Sequence, residues 1–271
     1  MKSRFFIFLL AIGLFAASSC GDKKEFTFIH MSDTQIGFRD NTIGYVQSNK
    51  LMRQAIEAAN ALRPEAVIIT GDLVNDPDNL LQKAGFNTNL GAIEAPVWLL
   101  PGNHDIKGYT PENHDAYVEL RGYDRFSFQL NGCSFIGIDT NPIKEGVTEA
   151  EEEQFEWLTE QLEAAREARY TFIFLHCPIV RESLNEPEDY FNFDMSQRRR
   201  YIDLFKKYGV DAVFAGHTHC QYTAHVEGIR FFTAGAVGNC LGDGFPGFNV
   251  VKVGRHGFKV EYVASAGNTS E

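Results

Sequence analysis

The sequence predicts an α/β fold of mixed, α+β character, with helices packed outside its β-sheets, and three observations carry that expectation. From Phe26 to Ala215, short runs rich in β-branched and aromatic residues alternate with amphipathic helical patterns. From Gln221 onward the pattern changes to paired β-runs around turn residues, an antiparallel meander that makes the sheets mixed. No repeat, low-complexity linker or composition break interrupts 26–265, so one domain is expected there.

Taken in order, Phe26 to Met31 is a first strand. Tyr45 to Leu62 is a helix that places Leu51, Ala55, Ile56, Ala59 and Leu62 on one face. Ala66 to Thr70 and Val97 to Leu100 are short apolar runs of the kind buried on both faces. Arg125 to Leu130 and Cys133 to Asp139 form a hairpin around Asn131-Gly132, a favoured two-residue turn. A helix over Glu149 to Ala168 turns Phe155, Leu158 and Leu162 inward. Tyr170 to Leu175 is a strand, Ser196 to Tyr208 a helix and Asp211 to Ala215 a strand. Tyr222 to Val226 and Ile229 to Ala234 then flank Glu227-Gly228, and Phe248 to Val253 and Phe258 to Val263 flank Arg255-His256-Gly257.

At 271 residues with 44% hydrophobic content, the chain has enough apolar surface for one sizeable core, which excludes a disordered protein. A net charge of −11 opposes general affinity for nucleic acid or an anionic membrane, so an anionic substrate needs a local cationic site.

The N-terminus is a separate matter. Lys2 and Arg4 precede an apolar run from Phe5 to Ala17, too short for a comfortable span, which ends in Ala17-Ser18-Ser19-Cys20. This pattern resembles a bacterial lipobox. It predicts a lipoprotein signal peptide over 1–19, a lipidated Cys20, a polar tether over 20–25, and a protein exported to the periplasm or cell surface. A plain signal peptide with an incidental cysteine, or an uncleaved anchor, are the alternatives. Cys133, Cys177, Cys220 and Cys240 remain, as buried thiols or as disulfide partners, with Cys177 and Cys220 expected close together because each follows a candidate metal-site histidine. The tail 266–271 is small and polar, and is expected to be loose.

Five polar clusters each follow a predicted buried strand: Asp33-Thr34-Gln35, Gly71-Asp72-Leu73-Val74-Asn75, Gly102-Asn103-His104-Asp105, His176 before Cys177-Pro178, and Gly216-His217-Thr218-His219. Loops at the carboxyl ends of strands converge in open α/β sheets, so distant clusters can meet at one spot. Their side chains offer carboxylate or amide oxygen and imidazole nitrogen, a mixture suited to manganese, iron or zinc. Two such ions about 3.5 to 4 Å apart, with one carboxylate between them, can clamp a phosphoryl oxygen and activate a water. Asp33 and Asp72 set two negative charges against four positive ones, which leaves the site cationic inside an acidic protein. Any one cluster alone reads as a cap, a turn or a core histidine; five in this order do not. His30, His114, His225 and His256 are assigned no role.

As D-x-Q, G-D-x-x-N, G-N-H-D, a lone H and G-H-x-H, these clusters resemble the calcineurin-like metallophosphoesterase family in order, spacing and number. Gln35, the stretch from Glu186 to Asn192, and Asn239-Cys240-Leu241-Gly242 look like the branch typified by calcineurin-like phosphoesterase domain-containing protein 1, a serine/threonine phosphatase branch. The resemblance implies a four-layer sandwich of two mixed β-sheets flanked by helices. It implies that Asp33, Gln35 and His219 hold one divalent metal, that Asn103, His176 and His217 hold a second, and that Asp72 bridges them. By the same resemblance His104 protonates the leaving oxygen, with Asp105 as its orienting partner. Gln35 stands where most of the family has histidine, and an amide oxygen is a harder, weaker ligand, which shifts the expected metal away from zinc. Asn75 stands where many members carry aspartate.

The expected function is therefore hydrolysis of a phosphomonoester, on a phosphoprotein or a small phosphorylated molecule, with the membrane engaged only through the lipid anchor. A phosphodiesterase acting on nucleotides or lipid head groups uses the same ions, and a non-catalytic, metal-stabilised surface lipoprotein is the third reading. Tyr190, Phe191 and Phe193 are an aromatic wall for substrate or simply core.

Overall fold

The computed structural model describes residues 24–265; the expected signal peptide over 1–19, Cys20 and the tail 266–271 lie outside the described residues. No helix among the described residues is long and apolar enough to cross a membrane. The chain runs β1 (Phe26–Met31), α1 (Val46–Ala61), β2 (Ala66–Thr70), α2 (Leu80–Leu90), β3 (Val97–Leu100), α3 (Asn103–Ile106), α4 (Pro111–Arg121), β4 (Phe126–Leu130), β5 (Cys133–Gly137), α5 (Asn141–Lys144) and α6 (Thr148–Ala164). It continues with β6 (Thr171–Phe174), α7 (Met195–Tyr208), β7 (Ala212–Ala215), β8 (Tyr222–Val226), β9 (Ile229–Thr233), β10 (Gly247–Gly254) and β11 (Gly257–Ala264).

Two mixed sheets form, one ordered β11-β10-β1-β2-β3 and the other β4-β5-β6-β7-β9-β8. Strand alternation sends Phe26 and Phe28 of β1 into the space between the sheets and Ile29 and Met31 outward against α1. The inter-sheet layer is mostly phenylalanine. Phe28 meets Phe135 edge-on at 5.0 Å, and Phe174 stacks on Phe214 at 5.2 Å. Each such ring, removed from water, contributes roughly 1.5–3 kcal/mol. Met52, Ala55 and Ile56 of α1 cover the outer face of the first sheet, while Leu158 and Leu162 of α6 and Tyr201, Ile202 and Phe205 of α7 cover the second. The result is the four-layer sandwich.

His30 shares the inward side of β1. Burial pushes its pKa down to about 3, and its ring nitrogens meet Thr70 Oγ1 at 2.9 Å and the Asn249 amide at 3.1 Å, so it is a satisfied core histidine.

The C-terminal half departs from a simple meander. β8 and β9 pair through Glu227-Gly228, but β9 also lies parallel to β7, whereas β10 and β11 cross to the first sheet, where β10 pairs antiparallel with β1. Turn residues identify a hairpin without specifying the sheet it joins. Leu62, expected on the apolar face of α1, caps that helix and is exposed.

Candidate metal centre

β1, β2 and β3 run parallel in one sheet, and β6 and β7 run parallel in the other. The predicted clusters follow the carboxyl ends of these five strands, and the loops interlock across the two sheets. His217 N donates to Asp33 Oδ2 at 2.9 Å, and His176 Nδ1 donates to the Thr70 carbonyl at 2.7 Å. Gln35 N donates to the Asp72 carbonyl at 2.8 Å.

Two close approaches make this possible. A Cβ on Gly102 would lie 2.2 Å from Asp72 N and Oδ1, and one on Gly216 would lie 1.7 Å from Ser32 Oγ. Glycine is needed there for space. The backbone is bent at the functional residues themselves: Asp33, Gln35, Asp72, His217 and His219 have φ of 53°, 33°, 48°, 68° and 54°. Left-handed conformation at a non-glycine residue costs of order 1–3 kcal/mol and persists where the surroundings over-determine it.

Two ligand groups emerge, one of Asp33, Asp72 and His219 and one of Asp72, His176 and His217, with the ligand atoms in each within 4.8 Å of one another. Asp72 belongs to both, which is the position of a bridging carboxylate. Asn103 joins the second group, its Oδ1 lying 3.2 Å from His176 Nε2, while Asp72 Oδ1 is 3.4 Å from that nitrogen and His219 Nε2 is 3.4 Å from Asp33 Oδ1. Gln35 is buried beside the first. Asp33 Oδ1 and Gln35 Oε1 are both buried without a hydrogen-bond partner, a costly condition that a cation relieves. The donor set therefore fits two divalent ions.

Backbone carbonyls fix the imidazoles. A carbonyl can only accept, so Nδ1 carries the proton in His176, facing Thr70 O, and in His219, facing Asn239 O, leaving Nε2 as the ligand atom. His217 is turned the other way, its Nε2 on the Tyr190 carbonyl at 3.1 Å, which leaves Nδ1. Burial pushes Asp72 up, but His176, with His104 and His217 beyond it, holds its carboxyl well below the usual range. Burial works against a charge on His176, yet Asp72 raises its pKa to about 10; burial and the charge on His176 push His217 down to about 3. A proton on His176 thus answers the charge of Asp72 where an ion otherwise would, and the two compete.

His104 belongs to neither group. Its backbone N donates to Asp72 Oδ1 at 2.9 Å, and its Nδ1 donates to the Asn75 carbonyl at 2.9 Å, so Nε2 is the nitrogen able to exchange a proton with a substrate. The orienting contact expected from Asp105 is absent. Its carboxylate is buried and receives the amides of Leu73, Val74 and Gly102, locking the second and third loops together instead.

The aromatic cluster divides. Phe193 is core, whereas the rings of Tyr190 and Phe191 stand 4.7 and 5.5 Å from that of His217, and Tyr190 Oη accepts from Asn103 Nδ2 at 3.0 Å. Their loop is held by two cations that the sequence did not single out. Arg198, fully buried, donates to the carbonyls of Leu184, Glu186, Pro187 and Phe193, and Lys144 donates to those of Asp189 and Asn192. A cavity of about 330 Å³ opens beside the second ligand group, lined by Asn103, Asn141, Lys144, His176, Tyr190 and His217 among others. The four described cysteines are thiols. Burial pushes the Cys240 thiol up to about 11, a bond to the Ala236 carbonyl opposes the rise, and nearby Cys220 adds to it.

The model of the calcineurin-like phosphoesterase family matches residues 26–221. Over 256 residues the chain is 32% identical to the serine/threonine-protein phosphatase CPPED1 of Pongo abelii, covering 85% of this chain and 81% of that one. It is 27% identical over 212 residues to a probable glycerophosphodiester phosphodiesterase, GpdQ, of Arcobacter nitrofigilis, covering 76% of each. Among solved structures, a dimetal phosphatase from Danio rerio superposes with a TM-score of 0.68 at 14% identity, covering 89% of this chain and 96% of that one, a likeness of fold.

Proposed function

The chain belongs to the calcineurin-like phosphoesterase family and is a hydrolase, and on that premise we propose that it is a metal-dependent phosphomonoesterase acting on a phosphoprotein or a small phosphorylated molecule. The observation that carries this reading is the sharing of Asp72 between two ligand groups, with His104 held beside them and outside both.

Asp33, Gln35 and His219 would hold one divalent ion, Asn103, His176 and His217 the second, and Asp72 both. When bound, such a pair supplies Lewis acidity at phosphorus and a water of lowered pKa. The other steps belong to side chains. Asn75, through its carbonyl, holds the His104 ring so that Nε2 can pass a proton to the departing oxygen, a contribution typically of about 10²–10⁴ in rate. Tyr190 and Lys144 line the cavity where the alcohol portion would lie. Manganese or iron suits the Gln35 side better than zinc.

The phosphodiesterase reading is favoured by the GpdQ relative and by a cavity with room for a second ester group. Turnover of monoester and diester chromogenic substrates by metal-stripped protein, reloaded with manganese, iron or zinc, separates the two. His104→Ala should lose rate and keep its metals. If two ions bind and no ester is cleaved under any loading, the non-catalytic surface-protein reading takes over. Export and lipidation at Cys20 form part of the proposal and rest on the N-terminal pattern; a lipid-free Cys20 in the membrane-derived protein, measured by mass spectrometry, would remove them.

A further inference from the structure

Three side chains away from the centre converge: His114 from α4, Asp124 from the turn ahead of β4, and Asp139 just beyond β5. One ligand atom of each lies within 4.8 Å of the others, and His114 Nε2 is 3.1 Å from Asp124 Oδ2. Asp139 is 1% exposed. Its Oδ1 accepts from the Asn141 backbone N at 2.8 Å and Nδ2 at 2.7 Å, while its Oδ2 is buried with no partner. The neighbouring cation, Arg125, is engaged by Glu153 at 2.7 Å and sits 3.5 Å from Asp124 Oδ1, which leaves Asp124 Oδ2 to His114. A buried carboxylate oxygen without a donor is costly, and its cost is relieved by protonation or by a cation.

We propose that His114, Asp124 and Asp139 form a third divalent-cation site, separate from the dinuclear centre and best matched to zinc. One imidazole nitrogen and two carboxylate oxygens, completed by water, make a four-coordinate set; calcium and magnesium take more oxygen ligands. Ligand atoms about 2.1 Å from a tetrahedral ion stand roughly 3.4 Å apart, so the present spacing closes with small side-chain movements. The ion neutralises both carboxylates and supplies Oδ2 with its missing partner. It also ties α4 to the end of β5, and through Asn141, whose Nδ2 reaches the Gly102 carbonyl at 3.4 Å, to the loop that carries Asn103 and His104.

Metal content tests this without reference to turnover. The purified full chain is chelator-stripped, equilibrated with zinc, freed of excess by gel filtration and analysed by elemental mass spectrometry. Three zinc ions per chain are expected in the wild type and two in His114→Ala or Asp139→Asn. The decisive arm uses Asp72→Asn/His176→Ala, which disables the dinuclear centre. This variant should retain one zinc and lose it when His114→Ala is added. His114 is partly exposed, so its truncation leaves the core intact, and melting curves verify folding. If the disabled variant binds no zinc, or keeps its zinc without His114, the site does not exist and Asp139 is simply a buried protonated acid.

Discussion

Replacing Gly102 with alanine perturbs the centre without removing a ligand. Gly102 has φ −100° and ψ 178°, a conformation open to any residue, so the effect is steric alone. The new methyl would stand 2.2 Å from Asp72 N and Oδ1 and 2.8 Å from its Cγ. Ordinary contact is about 3.5 Å, so Asp72 must retreat by roughly 1 Å. Asp72 is shared by both ligand groups and anchors the backbone of His104, so the retreat disturbs both ions and the proton donor together. A misplacement of about 1 Å costs around a hundredfold in turnover, and overpacking of this kind costs about 1–3 kcal/mol of stability. The assay combines metal content, steady-state hydrolysis of a chromogenic phosphomonoester and thermal melting. Gly91→Ala is the control: φ is −65° and the nearest atoms to its methyl would be 3.6 Å away, so activity should hold and stability should rise by about 0.4–1 kcal/mol at most. If Gly102→Ala kept both ions and turned over like the wild type, Asp72 would not be the shared, rigidly placed carboxylate described above.

Chelation should lower the melting temperature of the wild type, since ligand present at about a hundred times its dissociation constant contributes roughly 2.7 kcal/mol; Asp33→Ala, which removes one of the orphaned oxygens, should shrink that difference. Arg198→Met strands four carbonyls and should cost about 3 kcal/mol or more in a denaturant titration, with a rise in KM as the Tyr190 loop relaxes; an unchanged KM would separate that loop from substrate binding. Burial pushes the Asp40 carboxyl up, but bonds from Thr42 and Ser48 outweigh it and hold the pKa near 2. Because that folded value lies below the unfolded one, the stabilisation is complete above about pH 4 and is lost as the pH falls through 2; it amounts to about 1 kcal/mol. Denaturant midpoints of wild type and Asp40→Ala should therefore differ at neutral pH and converge in acid.

Much of the molecule was legible before any coordinates, and the reason is local. A strand buried on both faces is a continuous apolar run, and a loop that carries ligands beyond it is polar and glycine-bounded, so β1, β2, β3, β6 and β7 and the clusters after them are written in consecutive residues. α2 and α4 went unpredicted: α2 leaves Leu80 and Leu81 exposed, and only Tyr117 of α4 is buried, so neither shows a clear apolar stripe.

The sequence by itself determined the residue types of the centre, the strands they follow and their convergence at one spot beyond the carboxyl ends of those strands, because chain alternation and ligand chemistry act over a few residues; that the strands belong to two sheets was for the tertiary structure to decide. Only the tertiary structure decided that β9 joins β7 while β10 joins β1, that Asn75 rather than Asp105 faces the His104 ring, that Arg198 and Lys144 hold the Tyr190 loop, and that His114 meets Asp124 and Asp139. Those choices pair atoms far apart in the chain, and many use a backbone carbonyl, a group every residue carries and no sequence pattern can single out.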